Sequence, residues 1–295
     1  MLDACLRSMR NDVEQRTAEV WVVENGSTDG SAELVLCEHP WAHLLELGEN
    51  VGYGTAVNDV ARRTRTPWIA ASNADVELHP GALRVLLDAA ERAPEAAAIG
   101  PRLILPDGRT QPSVQPFPGP SAALRAALGV DRLRRGGTWD PEHAAYVDWV
   151  TGAFLLVRRE AWENVSGFDE AQWMYAEDLD LCWRIARAGW RIRYEPDAHV
   201  RHQLSAAAVQ AFGPDLDDRW RAATWGWMAR RRGVGLTWIT AAIEAAAAGS
   251  RLAICTILVR LAPGERSRTR VVRARGDLRN ASLGLRSRRT LLDAR

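Results

Sequence analysis

At 295 residues, with 47% hydrophobic and 25% charged residues, the chain has the balance of a soluble globular protein and length enough for one large core or two modest ones. Its net charge of +1 conceals a basic end, since Pro263 to Arg295 carries ten Arg against three acids, near +7, and the remainder is near −6. The four cysteines, Cys5, Cys37, Cys182 and Cys255, lie far apart with no CxxC pair, which argues against a zinc knuckle or a disulfide framework and makes a reduced cytoplasmic compartment the simpler reading.

In chain order, residues 2–10 read as a helix, with no signal-peptide pattern ahead of it, and Glu19–Val23 as a buried strand ending in the turn Asn25-Gly26-Ser27-Thr28-Asp29-Gly30. A helix from Ser31 to Cys37 precedes a short strand, Ala42–Glu46. The glycine-rich Glu49-Asn-Val-Gly-Tyr-Gly54 then opens a helix to about Arg63. Pro67–Ser72 is a strand that stops at Asn73-Ala74-Asp75, Pro80–Ala93 an amphipathic helix, and Ala97–Leu105 another strand. This alternation argues for a mostly parallel sheet with helices on both faces. Residues 106–146 are turn- and Pro-rich and read as a mobile excursion with a basic helix near Ser121–Arg135. Order resumes at Trp149–Arg158, followed by helices Arg159–Val165 and Glu177–Ala188 and the strand Ile192–Glu195. Residues 215–262 are helical, and the basic tail from 263 is expected to be partly disordered. The apolar stretch Leu236–Ala262, interrupted by Glu244, Arg251 and Arg260, reads as too charged to span a bilayer. Contact with an anionic membrane stands level with a helical subdomain or dimer interface followed by a solvated tail.

In an open sheet, ligands bind at the carboxyl ends of strands, and three polar clusters stand there: Glu24-Asn25-Gly26-Ser27, Gly52-Tyr53-Gly54 and Asn73-Ala74-Asp75. Asp75, directly after a buried strand, could hold Mg2+ or Mn2+ against a diphosphate or merely shape a turn. The glycine segment matches neither G-x-G-x-x-G nor a Walker P-loop, which argues against NAD enzymes and P-loop NTPases. Glu177 and Asp178 stand at a helix N-terminus, where acids routinely cap; with Asp180 they exceed what capping needs and favour a general base. His199 and His202 follow the last strand, and spacing alone favours an ordinary surface histidine over a metal ligand.

Val22–Ser31, Asn50-Val-Gly-Tyr-Gly54 through Asn58, Asn73-Ala-Asp75, Thr151–Val157, Gly167-Phe-Asp-Glu170 and Tyr175–Arg184 occur in this order. Together they resemble family 2 glycosyltransferases, in particular the rhamnosyltransferase-like branch from bacteria, over about residues 2–205. The resemblance implies a GT-A fold with a mixed α/β sheet, a divalent metal (Mg2+ or Mn2+) and an inverting single displacement. It places Glu24, Asn25, Gly52, Asn58, Asn73 and Asp75 on the nucleotide-diphosphate-sugar donor, Asp75 and His202 on the metal, Asp178 as base with Glu177 beside it, and Thr151, Gly152, Ala153 and Trp183 on the acceptor side. Glu24 and Asn73 stand where the family commonly has Asp. The family also has a strand ahead of the Leu2–Leu6 pattern, so a GT-A domain lacking its first strand is expected over 1–205, with unpaired backbone on that strand's neighbours. A helical region at 206–262 and the tail at 263–295 follow. The resemblance further implies transfer to a glycan or lipid-linked acceptor in cell-envelope polysaccharide synthesis, with dTDP-L-rhamnose the first donor and a galactofuranose or hexosamine donor the alternative. No nucleic-acid partner is expected, and the setting is cytoplasmic, at or near the inner face of the membrane. The rival readings are a nucleotidyltransferase and a degenerate glycosyltransferase that only binds.

Overall fold

The computed structural model describes residues 1–130, 141–203, 216–261, 264–286 and 288–293. Among these, the chain divides into two compact units, one made of Met1–Pro116 with Trp139–Gly213, the other of Phe117–Thr138 with Pro214–Arg295. The second unit therefore takes a piece from within the expected first domain and joins the helical region to the basic tail.

The first unit is α/β. Strands β1 (Trp21–Glu24) and β2 (His43–Glu46) form a parallel pair, each followed by a loop and a helix, α2 (Ser31–Glu38) after β1 and α3 (Tyr53–Arg63) after β2. A six-stranded sheet runs β3 (Trp68–Ser72), β9 (Phe154–Arg158), β5 (Ala96–Ile104), β10 (Arg191–His202), β4 (Val76–Leu78), with β7 (Ala145–Val147) also on β10. Among the described residues β5 and β10 form the one parallel pair in that sheet; β3, β5 and β10 run one way and β9, β4 and β7 the other. The sheet is thus mixed, less parallel than strand–helix alternation alone suggests. Among the described residues β1 pairs with β2 alone and β3 with β9 alone, so each keeps an unpaired edge.

Burial explains the central elements. Ala96, Ala97, Ala98 and Ile99 of β5 and Leu155–Val157 of β9 are buried on both faces, as continuous apolar strand runs must be. The helix α4 (Ala82–Arg92) packs Leu83, Leu86 and Ala90 into the same core. The helix α1 (Leu2–Glu14) lies on β4: the Ser8 hydroxyl accepts from Leu78 N at 3.0 Å, and Cys5 Sγ reaches the Asn73 carbonyl at 3.8 Å. β10 is longer than the sequence suggests. It continues through Pro196 by a register shift between Glu195 and His199 and carries His202 opposite Val76. Neither β4 nor this extension has a periodic signal, because β4 is three residues long and Pro196 interrupts β10.

The second unit is helical: α5 (Pro120–Ala127), α8 (Leu216–Arg232), α9 (Val234–Leu261), α10 (Glu265–Gly284) and α11 (Arg288–Leu292). Residues 131–135 of the expected basic helix lie outside the described residues. Within the tail expected to be partly disordered, α10 forms over 265–284, because Ala274, Ala281 and Leu283 bury themselves against the unit. Gly284 makes the close approach: a Cβ there would sit 2.8 Å from that of Ala241 and 2.7 Å from the Trp225 ring. By length and composition, α9 is the one described helix suited to cross a membrane, in spite of its charges.

Candidate active site

The loops after β1 and β2 are tied together by asparagines. Asn25 Oδ1 accepts from Val51 N at 2.9 Å, and Asn50 Oδ1 accepts from Gly52 N at 3.0 Å and from the Asn25 amide at 3.3 Å. Gly26, at φ 79°, lies so close that a Cβ would sit 2.8 Å from Asn50 N. The Glu24 carboxylate accepts from Ser27 N, which closes the turn after β1. Gly52, at φ 87°, lies under Trp173, 2.7 Å from ring to an added Cβ. Glu24, Asn25 and Gly52 therefore share one loop pair. Asn58 does not join them. It is buried on α3, donates to the Phe168 carbonyl at 2.9 Å and to Glu170 at 3.1 Å, and accepts from Phe168 N at 2.9 Å. Its amide is fully engaged in holding the 168–170 loop, which differs from the donor contact implied by the resemblance.

Asp75 and His202 meet. The pairing of β4 with β10 brings the imidazole Nε2 to 3.4 Å from Asp75 Oδ1, with the residues 5% and 9% exposed. His202 is thus buried beside a carboxylate rather than on the surface. Its Nδ1–H donates to Gln111 Oε1 at 2.8 Å, which turns Nε2 toward Asp75. An imidazole lone pair facing a carboxylate oxygen repels it unless a proton or cation lies between them. Two ligands on one six-coordinate ion stand about 3 Å apart, so the pair fits a hard divalent ion. Among the described residues no third His, Cys, Asp or Glu completes a protein cage, which leaves positions for a diphosphate. Gln111 has no sequence signal, lying in the Pro-rich stretch without periodicity.

The carboxylates at the start of α7 (Glu177–Arg187) are held from the other side. Asp178 Oδ2 accepts from Gly152 N at 2.8 Å and Oδ1 from Leu179 N at 2.7 Å. The preceding turn is strained: Tyr175 and Ala176 adopt φ 61° and 62°, left-handed values that non-glycine residues avoid. Buried Gln172 braces it by donating to the Tyr175 carbonyl at 2.6 Å. Asp180 is consumed structurally, in a buried ion pair with Arg184 at 2.6 Å. Burial, then the Asp178 charge, pushes Glu177 up to about 8. Burial also raises Asp178, but the Gly152 and Leu179 amides favour its ionised form. The two amides make Asp178 the more readily ionised of the pair and Glu177 the more readily protonated.

Gly152 links the two halves of the site. Asn73 N donates to the Ala153 carbonyl at 2.9 Å at the end of the β3–β9 ladder. One residue further along each segment stand Ala74, next to Asp75, and Gly152, bonded to Asp178. Thr151 is fixed by its own N–H to the Ser113 carbonyl at 2.8 Å. Trp183 is not brought in; five residues beyond Asp178, it points about 140° around the helix, with Arg187 over its ring at 5.8 Å. The sequence reading omits Tyr53. Its buried hydroxyl has no hydrogen-bond partner, nor does Glu177 Oε2, and burial, then the neighbouring Glu177 and Asp178 carboxyls, holds it protonated well above the ordinary tyrosine range. Its place between two conspicuous glycines was the only hint.

Residues 1–137 match the family described as glycosyl transferase family 2. Over 207 residues the chain is 38% identical to N-acetylglucosaminyl-diphospho-decaprenol L-rhamnosyltransferase of Mycobacterium tuberculosis (strain ATCC 25618 / H37Rv), covering 64% of this chain and 67% of that protein. The chain belongs to glycosyl transferase family 2. This glycosyltransferase is also 38% identical over 95 residues to rhamnosyltransferase WbbL of Escherichia coli (strain K12), covering 30% of this chain and 34% of that one. Among solved structures it resembles the mannosyltransferase PcManGT from Pyrobaculum calidifontis in complex with GDP-Man and Mn2+, with a TM-score of 0.56 at 19% identity over 94% of this chain and 83% of that one. The expected GT-A fold is thereby established, and the nucleotidyltransferase alternative falls.

Proposed function

We propose that this glycosyltransferase transfers L-rhamnose from dTDP-rhamnose to a lipid-linked glycan, with inversion, at the cytoplasmic face of the cell membrane. The donor and acceptor classes rest on the likeness to rhamnosyltransferases. The observation that carries the chemistry is the Gly152 bridge, which sets the Asp178 carboxylate beside the segment bearing Asp75.

In this reading, Glu24, Asn25 and Gly52 receive the nucleotide, and Asn73 and Asp75 face the diphosphate. Asp75 and His202 would hold Mg2+ or Mn2+, which would neutralise charge gathering on the departing diphosphate. Asp178, ionised and aimed by two backbone amides, takes the proton from the acceptor hydroxyl as it attacks the anomeric carbon. The unpartnered Tyr53 hydroxyl and Glu177 carboxyl orient that acceptor; buried polar atoms left unpaired are costly, and sugar hydroxyls would satisfy both. Thr151 to Ala153 line the same side. Holding acceptor and base in line lowers the barrier without a second carboxylate nucleophile.

The test is a panel of nucleotide sugars with Mn2+, read first by thermal stabilisation and then by transfer to a polyprenyl-diphosphate-linked N-acetylglucosamine. dTDP-rhamnose should stabilise and be consumed. Preference for another nucleotide sugar would overturn the donor assignment, and turnover on a free sugar alone would overturn the acceptor.

A further inference from the structure

The second unit carries a face for which the catalytic reading has no use. Thr237, Thr240, Ala241 and Ala248 mark the buried side of α9, which packs on α10, α5 and α8. On α9, Ile254, Ile257, Leu258 and Leu261 stand at the i, i+3, i+4, i+7 spacing of one helix face and are 58%, 56%, 41% and 76% exposed. Four large aliphatic side chains in one stripe differ from the single apolar residues scattered over any surface.

The charge beside the stripe is basic. Arg260 is exposed on the same turn of α9, to one side of the stripe, and α10, which packs along α9, exposes Arg268 and Arg275 on one side and Arg270 and Arg273 on another, none with a carboxylate partner among the described residues. The neighbouring acids are engaged: Asp277 pairs with Arg251 at 3.3 Å and Asp218 with Arg279. Glu244 is half-buried, and Glu265 stands in the first turn of α10.

We infer that this α9–α10 face docks on an anionic lipid bilayer, the aliphatic stripe entering the headgroup–acyl boundary and the arginines meeting lipid phosphates. Charge selects the bilayer over a second copy of the chain. A two-fold contact through this face would set its arginines against their own counterparts, whereas anionic headgroups neutralise them. The helix lies on the membrane rather than crossing it, because α10 packs along it and would take these arginines into hydrocarbon. The inference stands apart from the role of Asp178, on which the rate of sugar transfer reports separately.

The experiment is co-sedimentation of the full chain with vesicles of phosphatidylcholine alone, or with about 30% phosphatidylglycerol to give an anionic surface. The protein should pellet with the anionic vesicles only and be released as NaCl rises from roughly 0.1 to 0.5 M. I257S/L261S and R268S/R275S should each weaken partitioning on the order of tenfold, with donor-induced stabilisation unchanged. Equal binding to neutral vesicles, no binding to anionic ones, or variants that bind as the parent would overturn the inference. A dimer in sedimentation velocity that I257S/L261S converts to monomer would assign the face to self-association instead. The lipid and salt series need no variant, so they decide even if a substitution impairs folding.

Discussion

Asp178 Oδ2 accepts a 2.8 Å hydrogen bond from the backbone nitrogen of Gly152, and a Cβ added to Gly152 would stand only 2.9 Å from the Cβ of Asp178. The carboxylate is aimed by a backbone that can approach it only because that residue has no side chain. The carboxylate proposed as the base is here positioned by a strand-end backbone as much as by its own helix.

Gly152→Ala should therefore displace Asp178 while leaving the donor loops intact. A shift of about 1 Å at a reacting group costs on the order of a hundredfold in rate. Steady-state kinetics should show kcat falling by about that factor with donor KM nearly unchanged. A fall in donor affinity alone would place Gly152 elsewhere in the site.

His202→Ala and Gln111→Ala should both weaken metal-dependent donor binding. His202 faces Asp75, and Gln111 sets the orientation of its ring. Loss of such an orienting partner typically costs about 10–100-fold in metal affinity. Calorimetric titration of the nucleotide with and without Mn2+ measures it; the Gln111 variant should lose less than the His202 variant, and neither should alter binding measured without metal.

Stability should fall with rising pH in a window set by Glu177. Its carboxyl ionises near 4.5 in the unfolded chain and at about 8 in the fold. A raised value means that the fold binds the proton more tightly, so this stabilisation is complete below pH 4.5 and lost as pH climbs to about 8. Melting temperatures across that window should decline, and Glu177→Gln should flatten the decline. A parent protein with a flat profile would show that Glu177 is not buried beside Asp178.

Asn58→Ala should behave as a structural lesion. It removes three hydrogen bonds from a buried loop and leaves the Phe168 amide and carbonyl unpaired, a cost of about 1–3 kcal/mol. Urea unfolding should register that loss while donor affinity of the folded protein stays close to the parent's.

The strand-end clusters were legible in the sequence because polar residues directly after short apolar runs mark where a sheet presents its ligands; Glu24 ends β1, and Asn25, Gly52 and Asp75 lie on such loops. Glu177 and Asp178 were legible as an excess of acid at a helix start. The burial of His202 was not, because it depends on β4, three residues long, and on a strand that passes through Pro196. Asn58 illustrates the reverse case: one amide residue can bind a ligand or hold a loop, and only the three-dimensional partners distinguish them. Tyr53 and Gln111 come from a glycine-rich turn and a Pro-rich connection, where no periodic pattern marks which side chain faces inward. The helix α10 formed where composition suggested disorder, because a few small residues, Ala274, Ala281 and Gly284, permit close packing despite the surrounding arginines.

The most direct measurement is single-turnover transfer by Asp178→Asn set beside its donor affinity. Asparagine keeps the shape and can still accept the Gly152 hydrogen bond, but it cannot take up the acceptor proton. Transfer should be lost while nucleotide-sugar binding in Mn2+ matches the parent's; turnover at the parental rate would show that the proton leaves by another route and that Asp178 is not the base.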